Sequence, residues 1–118
     1  MGEEHGTASV LQACLAKAQN LAELVEYADD SIVSKTILDK PAGTITLFAF
    51  DKGQKLSEHT APYDAVVQVV NGRARLTIGG QPKDVCAGQV IIMPGHVPHA
   101  VEADERFKML LIMIRKPK

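Results

Sequence analysis

Two of the four histidines in the chain, His59 and His99, stand where a pair of imidazoles can do chemistry. His59 follows Gly53 after five residues, and His99 ends a short segment rich in glycine and proline that begins at Pro94. A neutral imidazole offers one hydrogen-bond donor and one acceptor, and its unprotonated nitrogen is a common metal ligand. The pair therefore has two interpretations: a shared divalent metal ion, or hydrogen bonds made directly to a carboxylate or a sugar hydroxyl. A histidine that is simply hydrogen-bonded within the fold is the alternative for each ring.

Three other polar residues lie close to these histidines in the sequence. Tyr63 and Asp64 follow His59 in the same predicted loop, and His96 lies three residues before His99 in a Pro-Gly turn. We predict that all three contribute to a ligand site at the rim of the domain. Strand alternation places Asp64 on the face opposite Ala65, so its carboxylate points away from the histidines unless a bulge shifts the register.

From residue 31 onward, short apolar runs separated by turn residues predict β-strands. The predicted strands are 31–38, 44–50, 66–70, 73–78, 81–86, 89–93, 97–103 and 107–115. Asn71-Gly72 and Gly79-Gly80 each predict a two-residue hairpin, because both residues of these pairs tolerate a positive φ. No segment of helical period separates the strands, which excludes parallel βαβ units. The sequence predicts an all-β antiparallel sandwich or barrel.

The N-terminal segment has a different pattern. Leucines recur at spacings of three and four between residues 8 and 28, which predicts one or two short helices. We expect residues 1–31 to form a helical arm that packs on a β-barrel domain formed by residues 32–118.

Two segments resemble the paired motifs of the cupin superfamily. In the first, Gly53 precedes His59 by the family spacing and Gly72 closes the motif. In the second, Gly88 is followed by five residues, then by Pro94, and at the end by His99. The chain is similar to small single-domain bacterial cupins of the RmlC-like type, and that resemblance implies a jelly-roll β-barrel with a pocket at its open end.

The chain departs from the family pattern at two metal-ligand positions. Cupins that hold a metal firmly present three histidines and one glutamate, but here the second histidine position is Ala61 and the glutamate position is Ala65. The resemblance therefore implies at most a weakly held divalent ion (zinc, nickel, iron or manganese) on His59 and His99. Water or ligand oxygens would complete its coordination.

The function predicted from these residues is small-molecule binding in a mostly apolar pocket. Val67, Met93 and Val101 are expected to line it, with His59 and His99 as its polar groups. One alternative is a metal-dependent dioxygenase or isomerase. A second is a metal-free reaction of the sugar-epimerase type with His59 as base and Tyr63 as acid. A third is a non-catalytic sensory or structural module.

Composition excludes several other classes. The 118 residues and 12.7 kDa favour one domain, and the formal charge of −1 with 4% aromatic residues gives no sign of nucleic-acid binding. No apolar run is long enough to span a membrane, and no signal-peptide pattern is present, so we expect a cytoplasmic protein.

The segment 107–114 is apolar on both of its faces, which predicts a homodimer. In a barrel only one face of this strand, that of Phe107, Met109, Leu111 and Met113, can point inward. The other face needs cover from a second copy of the chain or, alternatively, from the N-terminal arm.

Overall fold

Nine β-strands make up most of the computed structural model, which describes residues 9–115. In chain order they are β1 (Ser9–Val10), β2 (Ile32–Lys40), β3 (Gly43–Phe50), β4 (Lys55–His59), β5 (Ala65–Ile78), β6 (Gln81–Cys86), β7 (Val90–Met93), β8 (His99–Glu102) and β9 (Phe107–Ile114). Every pairing between them is antiparallel, in the order β1-β2-β3-β9-β5-β8-β4, and β6 and β7 also pair with β5. The strands curl into a jelly-roll barrel, as the sequence predicts. The sheet of this barrel does not close.

The 14-residue strand β5 joins the two halves of the barrel. Its first part, residues 65–72, pairs with β7 and β9, and its second part, residues 73–78, pairs with β6 and β8. One continuous strand therefore holds both halves in a fixed relation.

The prediction of a hairpin at Asn71-Gly72 is wrong. β5 runs straight through this pair, with a shift in register between Val69 and Asn71 and a φ of +74° at Gly72. The register shift places a bulge at Val70, and the positive φ of Gly72, two residues later, marks the point at which the strand changes partners without a reversal of the chain. The hairpin predicted at Gly79-Gly80 is confirmed, with φ values of +58° and +82° and with Ile78 opposite Gln81.

Residues 9–31, the described part of the helical arm predicted for residues 1–31, contain no α-helix. They contain β1, which pairs with β2, and two three-residue 3-10 helices, Gln12–Cys14 and Leu21–Glu23. Neither has a side-chain cap at its N-terminus, which leaves little to extend them into α-helices. The apolar spacing instead reflects packing, since Leu21, Leu24 and Val25 lie against the outer face of the sheet. Within residues 9–115, no helix is long and apolar enough to cross a membrane.

Charged side chains fasten this segment to the barrel. The Arg106 guanidinium donates a 2.7 Å hydrogen bond to Asp51, which also accepts one of 2.7 Å from the backbone N–H of Asp30. The Arg106 hydrogen bond is the main reason that the pKa of Asp51 lies below its usual value. Since the folded-state pKa is lowered, this contribution to stability is present above the unfolded-state pKa and is lost as the pH falls through the folded-state value. The Lys108 ammonium lies 4.9 Å from the ring centre of Tyr27, on the same segment.

The two faces of β9 divide as the alternation predicts. Phe107, Met109 and Leu111 point into the barrel core, where the Phe107 ring stacks on Phe50 with 4.5 Å between centroids. On the outer face, Leu110 is covered by the N-terminal segment. That segment leaves the rest of the outer face open, and Ile114 is 64% exposed.

An apolar row crosses this uncovered part of the outer face. Its members are directly opposite one another on five neighbouring strands, and they are Leu38, Ile45, Ile112, Val66 and Ile92. Ile92 is exposed and the other four are half-buried. Burial of each such side chain contributes about 1.5–3 kcal/mol, so the row is a substantial surface for association.

Replacement of Gly72 tests how tightly β5 packs against β9 at the point where β5 changes partners. Gly72→Ala would place a Cβ against the carbonyl oxygen of Arg106 in addition to straining a positive φ. Gly88→Ala is the matched control, because its φ is +91° but nothing lies within 4 Å of the added carbon. We expect Gly88→Ala to cost about 1–2 kcal/mol and Gly72→Ala clearly more, as measured by urea denaturation. Equal losses would contradict a tight packing of β5 against β9 at this point.

The homodimer stays a prediction. The apolar row identifies the surface at which this prediction can be tested. We expect light scattering coupled to size exclusion to give twice the chain mass for the parent protein. Ile112→Glu, which places a charge at the centre of the row, should give the monomer mass of 12.7 kDa. Gln68→Glu is the control, since Gln68 is an exposed β5 residue two positions from Val66, outside the row. A parent protein of monomer mass at micromolar concentration would contradict the prediction.

Candidate functional site

His59 and His99 face each other on neighbouring strands. They are direct partners in the pairing of β4 with β8, and their ring centroids lie 4.4 Å apart at an interplanar angle of 70°. His99 shares the inward face of β8 with Val101, two residues along the strand. A register shift between Leu56 and His59 lets both of these residues face inward although they are three positions apart. The structure thus brings together the two histidines that the sequence pairs.

Both imidazoles are oriented by backbone carbonyl groups. The Nδ1 atom of His59 lies 2.7 Å from the carbonyl oxygen of Ser57, and that of His99 lies 3.2 Å from the carbonyl oxygen of Val97. Because a carbonyl oxygen can only accept a hydrogen bond, each Nδ1 carries the proton. In the neutral rings, each Nε2 therefore has its lone pair free for a ligand proton or a metal.

The two rings line a cavity of about 130 Å³ inside the barrel. His99 is 6% exposed and lies deep in the cavity, whereas His59 is exposed at its mouth. The other walls are apolar and are formed by Phe48, Leu56, Ala61, Ala65, Met93, Val101, Met109, Leu111 and Met113. The histidines are thus the sole polar side chains among the described residues that line the cavity.

The structure places two of the three apolar residues predicted for the pocket in the cavity wall. Met93 and Val101 line the cavity. Val67 is fully buried in the core and is not among the lining residues. Alternation puts Val67 on the inward face of β5 but does not say how far along the barrel the cavity extends.

The three polar residues predicted at the rim line a different cavity. Tyr63, Asp64 and His96 border a depression of about 500 Å³ together with Arg115. Asp64 accepts a 2.8 Å hydrogen bond from the backbone N–H of Gly95, and the His96 N–H donates one of 2.7 Å to the carbonyl oxygen of Ala61. These bonds tie the loop after β4 to the loop before β8, and they separate the polar rim residues from the histidine pair. The structure thus places these three residues and the histidine pair on two different cavities.

Several residues of the inner cavity were not predicted as part of a site. Met109, Leu111 and Met113 come from β9, whose inward face the alternation already identifies. Leu56 comes from β4, which was not predicted as a strand because its sequence Lys-Leu-Ser-Glu-His has little apolar alternation.

The residues present do not fit a firmly held divalent metal ion. Ala61 and Ala65 line the same cavity as the two histidines, so the positions that lack their expected ligands do face the site. A methyl group offers no donor atom, and two imidazoles occupy only half of a four-ligand shell. Across residues 9–115, no group of three or more His, Cys, Asp or Glu side chains is arranged to hold a metal ion.

Restoring the two missing ligands tests this explanation. The double variant Ala61→His/Ala65→Glu should bind Zn²⁺ at one equivalent and at least about tenfold more tightly than the parent, because it completes the ligand set. Ala61→His/Gln68→Glu is the control, since Gln68 is on the exposed face of β5 and its carboxylate would point away. Titration calorimetry of untagged protein measures both. Equal affinities in the two variants would show that position 65 does not reach the metal.

Comparison with known proteins agrees with this geometry. The family model described as Cupin domain matches residues 46–114. The protein of unknown function SPY1581 from Streptococcus pyogenes superposes with a TM-score of 0.87 at 33% identity, over 97% of this chain and 100% of that one. A cupin 2 conserved barrel domain protein from Leptotrichia buccalis has a TM-score of 0.80 at 44% identity, over 82% of this chain and 47% of that one. The uncharacterized protein SCO3923 of Streptomyces coelicolor is 29% identical over 75 residues, which are 64% of this chain and 71% of that protein. The chain therefore belongs to the cupin family.

Proposed function

We propose that the chain binds a small molecule in the His59–His99 cavity. The observation that carries the proposal is the pair of imidazoles, 4.4 Å apart, with both Nδ1 atoms held by carbonyl groups and both Nε2 atoms free. An apolar cavity with a few polar groups that converge is the usual form of a small-molecule site. The ligand would have a compact apolar body and one polar group that reaches the imidazoles.

The cavity volume limits the size of this ligand. A cavity of about 150 Å³ lined by apolar side chains is known to hold benzene, and the volume here is about 130 Å³. The part of the ligand inside the barrel is then no larger than one ring or a short branched chain. A hydroxyl group can donate to an Nε2 lone pair, and a protonated imidazole can instead donate to a carboxylate.

The catalytic alternatives receive less support from the geometry. The epimerase-type reaction pairs His59 with Tyr63, but these side chains line different cavities. The Nδ1 atom of His59 bonds to the Ser57 carbonyl group rather than to a carboxylate that would strengthen it as a base. A metal-dependent dioxygenase or isomerase would rely on ligand positions that are Ala61 and Ala65. A non-catalytic binding module stays the second candidate function, because two imidazoles suffice to bind without turnover.

Both cysteines accord with the cytoplasmic location that we propose for this protein. Cys14 is half-buried, Cys86 is exposed, and neither forms a disulfide. Free thiols are the usual state in a reducing compartment. The homodimer is also part of the proposal, and light scattering tests it separately from ligand binding.

Phenol and toluene form a matched pair of probes for the cavity. They have nearly the same shape, but only phenol can donate a hydrogen bond to an Nε2 atom. We expect ligand-observed NMR to give tighter binding of phenol than of toluene, by about fivefold to tenfold, which corresponds to one hydrogen bond of about 1 kcal/mol.

Substitution of the histidines then locates the probe. His59→Leu and His99→Leu retain much of the side-chain volume and remove the imidazole nitrogens. The double variant should bring phenol to the affinity of toluene, because the single hydroxyl of phenol can donate to either Nε2 atom. His96→Leu is the control, because His96 belongs to the rim cavity. A preference for phenol that survives both cavity substitutions, or that is lost with His96→Leu, would contradict the proposed site.

A further inference from the structure

The rim cavity, the depression bordered by Tyr63, Asp64, His96 and Arg115, has no part in the function proposed above. Its volume of about 500 Å³ lies in the range of about 300–1,000 Å³ that is usual for small-molecule sites. The histidine cavity, at about 130 Å³, is much smaller, and no residue lines both. The rim cavity is therefore a second concave surface with its own set of polar groups.

Opposite charges reach the rim cavity from two neighbouring strands. Ala65 at the start of β5 pairs with Met113 near the end of β9. Asp64 comes directly before Ala65 and Arg115 comes two residues after Met113, so both lie at the same edge of the sheet. Across residues 9–115, the ion pair that Arg115 forms is with Asp39, on the other side, and not with Asp64. The two charges thus border one cavity without neutralising each other.

Backbone groups hold both charged side chains in place. The Oδ1 atom of Asp64 accepts a 2.8 Å hydrogen bond from the N–H of Gly95, and the Nη1 atom of Arg115 donates one of 2.6 Å to the carbonyl oxygen of Lys40. Within the described part of the chain, these bonds leave the Oδ2 atom of Asp64 and the Nη2 atom of Arg115 for a ligand. A ligand that meets side chains already fixed in this way loses less affinity to their ordering.

The charge pattern restricts the class of ligand. A simple anion attracted by Arg115 would meet the Asp64 carboxylate, and a simple cation would meet the Arg115 guanidinium. A molecule that carries both a carboxylate and an ammonium group can instead pair with each of them. The cavity also has an apolar part, formed by Pro62 and by Ile114, which is 64% exposed. This part suits an aliphatic group on the same molecule.

We propose that the rim cavity binds a small zwitterion with an aliphatic side chain, of the type of an α-amino acid. Arg115 pairs with its carboxylate and Asp64 with its ammonium group, while Tyr63 and His96 offer further hydrogen bonds. His96 has a φ of +67°, and strained backbone in a cavity wall is typical of functional positions. The proposal does not rest on the function proposed above, because it uses a different cavity and different residues.

Ordinary solvated charges at the ends of loops are the competing explanation for Asp64 and Arg115. Three molecules of similar shape separate the two explanations. L-leucine carries both charged groups, isocaproate lacks the ammonium group, and isoamylamine lacks the carboxylate. In a titration of the untagged full chain, followed by two-dimensional amide NMR, we expect L-leucine to bind at least about tenfold more tightly than either analogue. The resonances that shift should include the amides of Gly95 and His96, which lie in the cavity wall.

Substitutions that remove one charge at a time locate the zwitterion. Asp64→Asn keeps an oxygen for the Gly95 N–H and should bring L-leucine to the affinity of isocaproate. Arg115→Gln should bring it to the affinity of isoamylamine. Arg73→Gln and Glu105→Gln are the controls, because Arg73 and Glu105 form a surface ion pair of 3.7 Å away from the rim cavity. Both controls should keep the parent affinity for L-leucine.

Three results would overturn the zwitterion site: no shift of the rim amides with millimolar L-leucine, equal affinities for L-leucine and its two analogues, or full L-leucine affinity in both Asp64→Asn and Arg115→Gln. The double variant His59→Leu/His99→Leu distinguishes the two proposals. It should lose the preference for phenol and keep the affinity for L-leucine. Loss of L-leucine binding in this variant would place the amino acid in the barrel and contradict the rim site.

Discussion

The continuous pairing of β5 with four other strands is the constraint on which the rest of the structure depends. β5 binds β7 and β9 through its first part and β6 and β8 through its second. It therefore carries Ala65 at one end and, through its pairing with β8, fixes the position of His99 opposite Ile78 at the other. The bulge at Val70 and the positive φ of Gly72 accompany the passage of the strand from one half of the barrel into the other without a break.

The character of the candidate site depends on two ligand side chains that β5 and the loop before it lack. Ala61 and Ala65 face the cavity, so the fold presents four positions to one small space but fills only two of them with imidazoles. The space that the alanines leave is lined by apolar side chains, methionines among them, and this sets the polarity of the cavity. Each imidazole directs its Nδ1 atom to a carbonyl group of its own chain, which leaves the Nε2 atom to meet a ligand. The cavity therefore offers two ring nitrogens in a medium of low polarity.

The sequence predicts the features of this site that depend on spacing. The antiparallel barrel and the alternation on β9 follow from the turn residues and from the period of two along a strand. The meeting of His59 with His99 is what the resemblance to the cupin motifs implies. The predictions from sequence fail where contacts between residues far apart in the chain determine the local structure. Asn71-Gly72 has the residues of a tight turn, but pairing with β9 keeps the chain extended there. The leucine spacing of the N-terminal segment fits a helix equally well as the packing that occurs, and only the surface it covers distinguishes the two. Val67 points to the inward face of β5, as alternation predicts, but it lies outside the cavity lining. Alternation does not give the position of a residue along the barrel.

The rim cavity and the inner cavity are separated by the contact between the loop after β4 and the loop before β8. His96 takes part in this contact through its backbone. This residue stands where the family pattern has glycine, and it adopts a φ of +67°, in the region that glycine favours. A side chain there costs backbone strain, yet its N–H still bonds to the Ala61 carbonyl group, as a glycine N–H could. The backbone role of the position is thus preserved, and the imidazole is an addition on the outside of the loop. Gly95 packs closely against the backbone of Tyr63, since a Cβ atom added at Gly95 would lie 3.1 Å from the Tyr63 carbonyl carbon. The two loops are therefore in tight contact. Tyr63, Asp64 and His96 are therefore held in the outer wall of that contact, and a ligand in the barrel meets His59 and His99 without them.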